Sequence, residues 1–196
     1  MRDENDEINK ALVNVRKLPT IQIVSGDITQ IDADCIITPI NSQKNWHGGI
    51  DRAIYAIAGE MYHDQIRKTH LENLFSAAVL GNRKTHRGKF DHVVFVVDDL
   101  RSRAREVINR GLETADEAGF ETILIPAIRT GVFLGIIERT PDEIANEYIL
   151  GILKFLRSNR NSGIKSIKLV IFRNEQFKTI LEDKITSVIK NMSDKQ

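Results

Sequence analysis

The sequence predicts a three-layer α/β/α domain, with helices on both faces of a central, mixed and largely parallel sheet. Three observations predict it. Short β-rich apolar runs alternate along the chain with longer segments whose apolar residues recur at helical spacing. The run Val93-Val94-Phe95-Val96-Val97 has no polar interruption, as expected of a strand covered on both faces. Caps and turn residues, among them Thr140-Pro141 and Gly119, punctuate the alternation where elements should begin and end.

Taken in order, the elements are as follows. Residues 7–17 read either as a helix or as a strand, and Pro19 ends whichever forms. Ile21–Val24 is a strand closed by Ser25-Gly26-Asp27, and Cys35–Ile40 is a second strand, weakened locally by Pro39. After the polar loop from Asn41 to His47 comes Gly48-Gly49 and a helix whose face is Ile50, Ala53, Ile54, Ile57 and Ala58. Past the Val93–Val97 strand, Asp98 or Asp99 is expected to cap a helix that ends at Gly119, with Leu100, Ala104, Val107, Ile108, Leu112 and Ala115 inward. Thr122–Pro126 is a strand. Thr140-Pro141-Asp142-Glu143 starts a helix burying Ile144, Tyr148, Ile149, Ile152, Leu153 and Leu156. Lys168–Phe172 is the last strand, and Asn174 caps a final helix through Phe177, Ile180, Leu181, Ile185, Val188 and Ile189.

Composition bounds the function. The 196 residues suit one domain over residues 20–190, with an extension at 1–19 and a polar tail at 191–196. Twenty-eight basic residues against 27 acidic ones leave a net charge of +1, which disfavours nucleic-acid binding driven by net charge. The basic run Arg83, Lys84, His86, Arg87 and Lys89 reads as a solvated loop. Cys35 is the single cysteine, so no intrachain disulfide is available, and its apolar neighbours mark it as a buried small residue. The charged start resembles no signal peptide, and no apolar run approaches the ~18 residues of a membrane helix. A cytoplasmic setting is expected. There is no dinucleotide fingerprint, P-loop or C-x-x-C, and the histidines 47, 63, 70, 86 and 92 form no H-x-x-x-H pair, so no metal and no cofactor is expected.

In such folds ligands sit beyond the carboxyl ends of the strands. That rule selects Gly26-Asp27-Ile28, the loop Asn41–Asp51, the loop Arg129–Gly135, and Phe172–Asn174. Gly48-Gly49 before a helix and the turn Thr130-Gly131 are amide-rich, suited to a diphosphate held between them. Asp27 can accept from an exocyclic amine or can simply close a turn, and Asn41 can donate to and accept from sugar hydroxyls. Asp51 can orient a water or merely complement the helix dipole.

The joint order of these segments resembles the macro-domain family. Gly26-Asp27-Ile28-Thr29 resembles its G-D-I-T opening, Thr38–Asn41 its N-A-A-N strand end, and Gly48-Gly49-Ile50-Asp51-Arg52-Ala53-Ile54 its glycine run and V-D-x-A-I helix start. Ala58-Gly59 follows at the family's spacing, and Pro126–Phe133 resembles P-A-I-S-T-G-V-F. The resemblance covers roughly residues 20–190 and implies binding of ADP-ribose or of an ADP-ribosylated protein. It implies that Asp27 receives the adenine amine, with Ile28 lining that pocket and Phe172, or Arg173 or Asn174 in its place, against the ring. Asn41 would contact the distal ribose; Gly48, Gly49 and Ile50 would form one phosphate loop. Arg129, Thr130, Gly131, Val132 and Phe133 would form the other. Asn41 and Asp51 would be catalytic in hydrolysis of an ADP-ribosyl or O-acetyl-ADP-ribose ester; the alternative is a binding module without catalysis. The chain departs from the pattern at Thr38, at Pro39-Ile40, at Trp46 and His47, at Tyr55 in place of a histidine, and at Leu134-Gly135-Ile136. By the resemblance, these departures would gather at the rim of the distal ribose.

Overall fold

The computed structural model describes residues 18–44 and 49–193, with side chains through residue 186. The segment 7–17, Trp46, His47 and Gly48, residues 194–196, and the side chains of Val188 and Ile189 lie outside the described residues.

Six strands form one sheet: β1 (Thr20–Ser25), β2 (Ala33–Ile40), β3 (Ser76–Val79), β4 (Phe90–Val97), β5 (Thr122–Pro126) and β6 (Ser166–Ile171). Their order across the sheet is β1-β6-β5-β2-β4-β3, parallel throughout except that β3 runs antiparallel to β4 at the edge. Five helices flank them: α1 (Gly49–Ala58), α2 (His63–Ile66), α3 (Ala104–Glu117), α4 (Pro141–Ser158) and α5 (Glu175–Ser193). The two-residue period of the strands divides the core. Cys35 and Ile37, Val94 and Val96, Ile123 and Ile125, and Ile167, Leu169 and Ile171 face α3, α4 and α5. Ile36 and Ile40, Val93, Phe95 and Val97, Leu124 and Val170 face Ile54 of α1 and Tyr62 and Ile66 at α2. The layered, mixed sheet predicted from the sequence is the one found.

Several expectations are corrected. Neither Asp98 nor Asp99 caps α3, and Leu100 is not on it: the helix begins at Ala104 after Arg103. Both aspartates face other partners, described below. The short helix α2 and the strand β3 had no sequence prediction. Ser76-Ala77-Ala78-Val79 has only one β-branched residue and no aromatic, and it is a strand because β4 offers it a ladder. Pro39 does not interrupt β2, because the ladder to β5 stops at Ile36 while pairing to β4 continues to Ile40. Phe172 lies one residue beyond β6, and α5 runs three residues into the expected tail. Cys35 is fully buried, and burial pushes its thiol pKa well up, so it is an inert core residue. The caps at Thr140 and Asn174 form as read: each side chain accepts an amide, from Glu143 at 3.1 Å and from Phe177 at 3.1 Å. No helix among the described residues is long and apolar enough to cross a membrane.

Candidate functional site

The ladder between β2 and β5 spans only Cys35↔Ile123 and Ile36↔Leu124. Beyond it the ladder lapses, β2 running on to Ile40 and β5 to Pro126. Their outgoing loops therefore leave side by side at the middle of the sheet's carboxyl edge, where open α/β sheets hold ligands. The loops after β1 and β6 follow on the β5 side.

On that side, Asp27 caps a 3-10 turn, Ile28–Gln30. Its Oδ1 accepts from the Thr29 amide at 2.9 Å and from the Thr29 hydroxyl at 2.8 Å. The residue itself is exposed, whereas Ile28 is buried beneath it. The turn reading and the ligand reading of Asp27 are compatible, since the turn engages one carboxylate oxygen. Phe172, at the next strand end, is 57 % exposed, and the Arg173 guanidinium carbon lies 4.9 Å from its ring centroid. The guanidinium lies over the ring as a cation–π contact, on an aromatic side chain that is otherwise more than half exposed.

The loop after β5 is ordered by a set of internal bonds. The Ile128 amide donates to the Tyr148 hydroxyl at 2.6 Å, and that hydroxyl donates to the Pro126 carbonyl. The Thr130 hydroxyl donates to the Ala127 carbonyl at 3.2 Å, and the Leu134 amide to the Gly131 carbonyl at 3.0 Å. Gly131, Val132 and Phe133 are exposed, Val132 at 89 %. Arg129 was expected on a ligand loop, and its backbone is there, but its guanidinium turns inward. It binds Asp98 through Nε (2.9 Å) and Nη2 (2.5 Å), Glu138 through Nη1 (2.8 and 3.1 Å) and the Ser102 carbonyl through Nη2 (2.9 Å). Burial works against the cation, but the bonds and charges of Asp98 and Glu138 outweigh it and raise the guanidinium pKa.

On the β2 side, Asn41 and Ser42 open the loop, and the Ser42 amide donates to Asp99 Oδ1 at 2.9 Å. Gly49, at φ +56, occupies the left-handed region that favours glycine, and Ile50 is half-buried in the first turn of α1. Gly48, expected beside it, lies outside the described residues. Asp51 is in the same turn but is not at the rim. It is 7 % exposed and shares its Oδ1 between Thr38 Oγ1 and His63 Nε2, each at 3.5 Å. Burial raises its pKa, only partly offset by His63 and Thr38. Tyr55, where the resemblance led us to look for a histidine, is exposed; the histidine near Asp51 is His63, from α2.

The sequence reading missed His63, Asp98, Asp99 and Glu138. The two aspartates directly follow a predicted strand, which is a usable signal. His63 has none, since it reaches Asp51 only through the packing of α2 on β4, where its ring lies 5.1 Å from that of Phe95. Of the basic run, Arg83 is tied to Asp91 at 2.8 Å and Asp32 at 3.1 Å, so that stretch is not an open cationic surface throughout. Among the described residues no cluster of histidine, cysteine or carboxylate side chains could hold a metal.

A Macro domain family model matches residues 37–142. Macro domain-containing protein SCO6450 of Streptomyces coelicolor is 32 % identical over 123 residues, 58 % of this chain and 73 % of that protein. Human protein mono-ADP-ribosyltransferase PARP14 is 26 % identical over 151 residues; the match takes in 77 % of this chain and only 8 % of that protein's length. In fold, the chain is similar to a Trypanosoma brucei macrodomain in complex with ADP-ribose, at TM-score 0.68 and 16 % identity over 84 % of this chain and 68 % of that one. It is also similar to an Oceanobacillus iheyensis macrodomain with ADP, at TM-score 0.67 and 22 % identity over 88 % and 93 %.

Proposed function

The chain belongs to the macro-domain family, and from that premise we propose that it binds ADP-ribose, free or protein-linked, across the carboxyl ends of β2 and β5. The observation that carries this reading is the convergence of four loops there: Asp27 and Phe172 on one flank, the exposed Gly131–Phe133 turn in the middle, and Asn41 with the Gly49 helix start on the other. Adenine would stack on Phe172 and give its amine to the outer oxygen of Asp27. The diphosphate would take amides from the two glycine-bearing turns, aided by the positive end of α1. Asn41 would hold the distal ribose. The similar solved structures in complex with ADP-ribose or with ADP support the same choice of ligand.

A second step, hydrolysis of an ester on the distal ribose, rests on Asp51. A buried carboxylate with a raised pKa is a stronger base than a solvated one. It would take a proton from water as the water oxygen adds to the acyl carbon, and the departing ribose oxygen would receive a proton in turn. The burial of Asp51 and its bonds to Thr38 and His63 favour the alternative, a binding module in which Asp51 holds the helix start in place. Calorimetry with ADP-ribose tests binding, and absence of heat at millimolar ligand would end both readings. Release of ADP-ribose from a modified protein, compared between wild type and Asp51→Ala, tests hydrolysis; equal background release leaves the binder alone standing.

A further inference from the structure

We propose that Asp98 and Asp99, the two residues that follow β4, are a shared anchor for both ligand loops, and that Arg129 is the positioning residue through which the second loop is held. The inference rests on the ADP-ribose reading for its ligand, but the anchor itself is visible in the bonds. Asp99 Oδ1 accepts the Ser42 amide at 2.9 Å and so fixes the start of the loop after β2. Asp98 receives Arg129 through two nitrogens and so fixes the start of the loop after β5. The strand behind them is paired on both sides and buried from Val93 to Val97, and the Asp98 amide is tied to the Ile40 carbonyl at 2.7 Å. The anchor is therefore as rigid as the core.

Arg129 closes the second loop at both ends. A guanidinium presents N–H donors on three nitrogens, and all three nitrogens are engaged: Nε and Nη2 on Asp98, Nη1 on both oxygens of Glu138, and Nη2 again on the Ser102 carbonyl. Glu138 lies at the far end of the loop, and its Oε1 also accepts the first amide of α3, from Ala104 at 2.9 Å. The intervening turn is cross-linked again where the Gly135 amide donates to the Glu138 carbonyl at 2.8 Å. One buried side chain, 2 % exposed, thus joins the entry of the loop, its exit, the end of β4 and the start of α3. Arg129 itself holds φ +59, a left-handed conformation in which a bulky residue is uncommon and which the surrounding bonds must enforce. Between its two ends stand Thr130–Phe133, of which Gly131, Val132 and Phe133 are exposed. Amides that bind phosphate do so well only when they are already in place, because ordering a loop on binding subtracts from affinity. The Arg129 guanidinium is turned to Asp98, Glu138 and Ser102, so its part is to set where those amides are.

The test uses Arg129→Lys in the full chain. Lysine keeps the buried charge but has three donors on one nitrogen, so it cannot bridge two carboxylates and a carbonyl at once. The expected result is amide hydrogen exchange at least about tenfold faster at Leu134 and Gly135, whose amides are bonded within the loop, with exchange in α4 and β4 unchanged, and ADP-ribose affinity reduced about tenfold or more. A purely structural role would instead lower protection across α4 and the sheet together. Exchange at Leu134 and Gly135 equal to wild type in a folded Arg129→Lys protein overturns the proposal. If wild type gives no heat with ADP-ribose, the ligand reading fails, and the exchange measurement still decides the brace. If Arg129→Lys does not fold, Asp99→Ala reads the other arm: faster exchange at Ser42 with Leu134 and Gly135 unaffected is expected, and an unchanged Ser42 overturns the shared anchor.

Discussion

Burial holds the Asp51 carboxyl above its ordinary pKa, so the folded chain keeps this proton to higher pH than the unfolded chain does. Between the two pKa values the folded state carries the extra proton, and this group's contribution to stability falls as pH rises through that window. Asp51→Asn removes the titration while leaving an oxygen for Thr38 and His63. Its Tm relative to wild type should therefore be higher at pH 8 than at pH 4; a difference independent of pH would contradict the assignment. Phe172 makes the second prediction at this scale. Stacking of a base on an aromatic face is worth about 1–3 kcal/mol, so Phe172→Ala should weaken ADP-ribose roughly tenfold or more by calorimetry. Ribose 5-phosphate, which has no base, should be unaffected. Arg129→Ala is a different case from Arg129→Lys: it strands Asp98 and Glu138 in a buried site, and loss of about 3–5 kcal/mol in chemical denaturation is expected.

Among the elements, α3 is held more tightly than its sequence suggests. It packs on the sheet at Gly111, where a Cβ would come within 2.6 Å of Ile37 Cγ2. It packs on α4 at Gly151, where a Cβ would meet the Arg105 carbonyl at 2.9 Å. Neither glycine is at a turn; each is there for close approach. Gly111→Ala should cost about 1–3 kcal/mol through overpacking, visible as a lower midpoint in urea with the slope unchanged. The start of α3 shows why its cap was misread. Ala104 and Arg105 amides are satisfied by Glu138 and Glu147, carboxylates from elsewhere in the chain, so no capping side chain is needed at Arg103. Local rules find a helix start only when the cap is local, as at Thr140.

At the scale of the whole molecule, a ligand that binds only the folded chain stabilises it by mass action, by about 2.7 kcal/mol at a hundredfold excess over Kd. For a domain of this size ADP-ribose should then raise Tm by roughly 5–10 °C, and a shift with AMP as large as with ADP-ribose would place the distal ribose outside the site. The sequence by itself determined the layered fold, because the two periodicities that decide burial, 2 for strands and 3.6 for helices, are written in consecutive residues. It also determined which strand ends carry the loops that hold Asp27, Asn41, Thr130–Phe133 and Phe172. Only the tertiary structure decided what those residues face. Arg129 lies inward and Asp51 beneath its helix because Glu138, Asp98, Thr38 and His63 come from other elements, 9 to 31 residues away along the chain. Burial and pairing depend on distances across the fold, and a linear pattern records the direction of a side chain without recording what it meets.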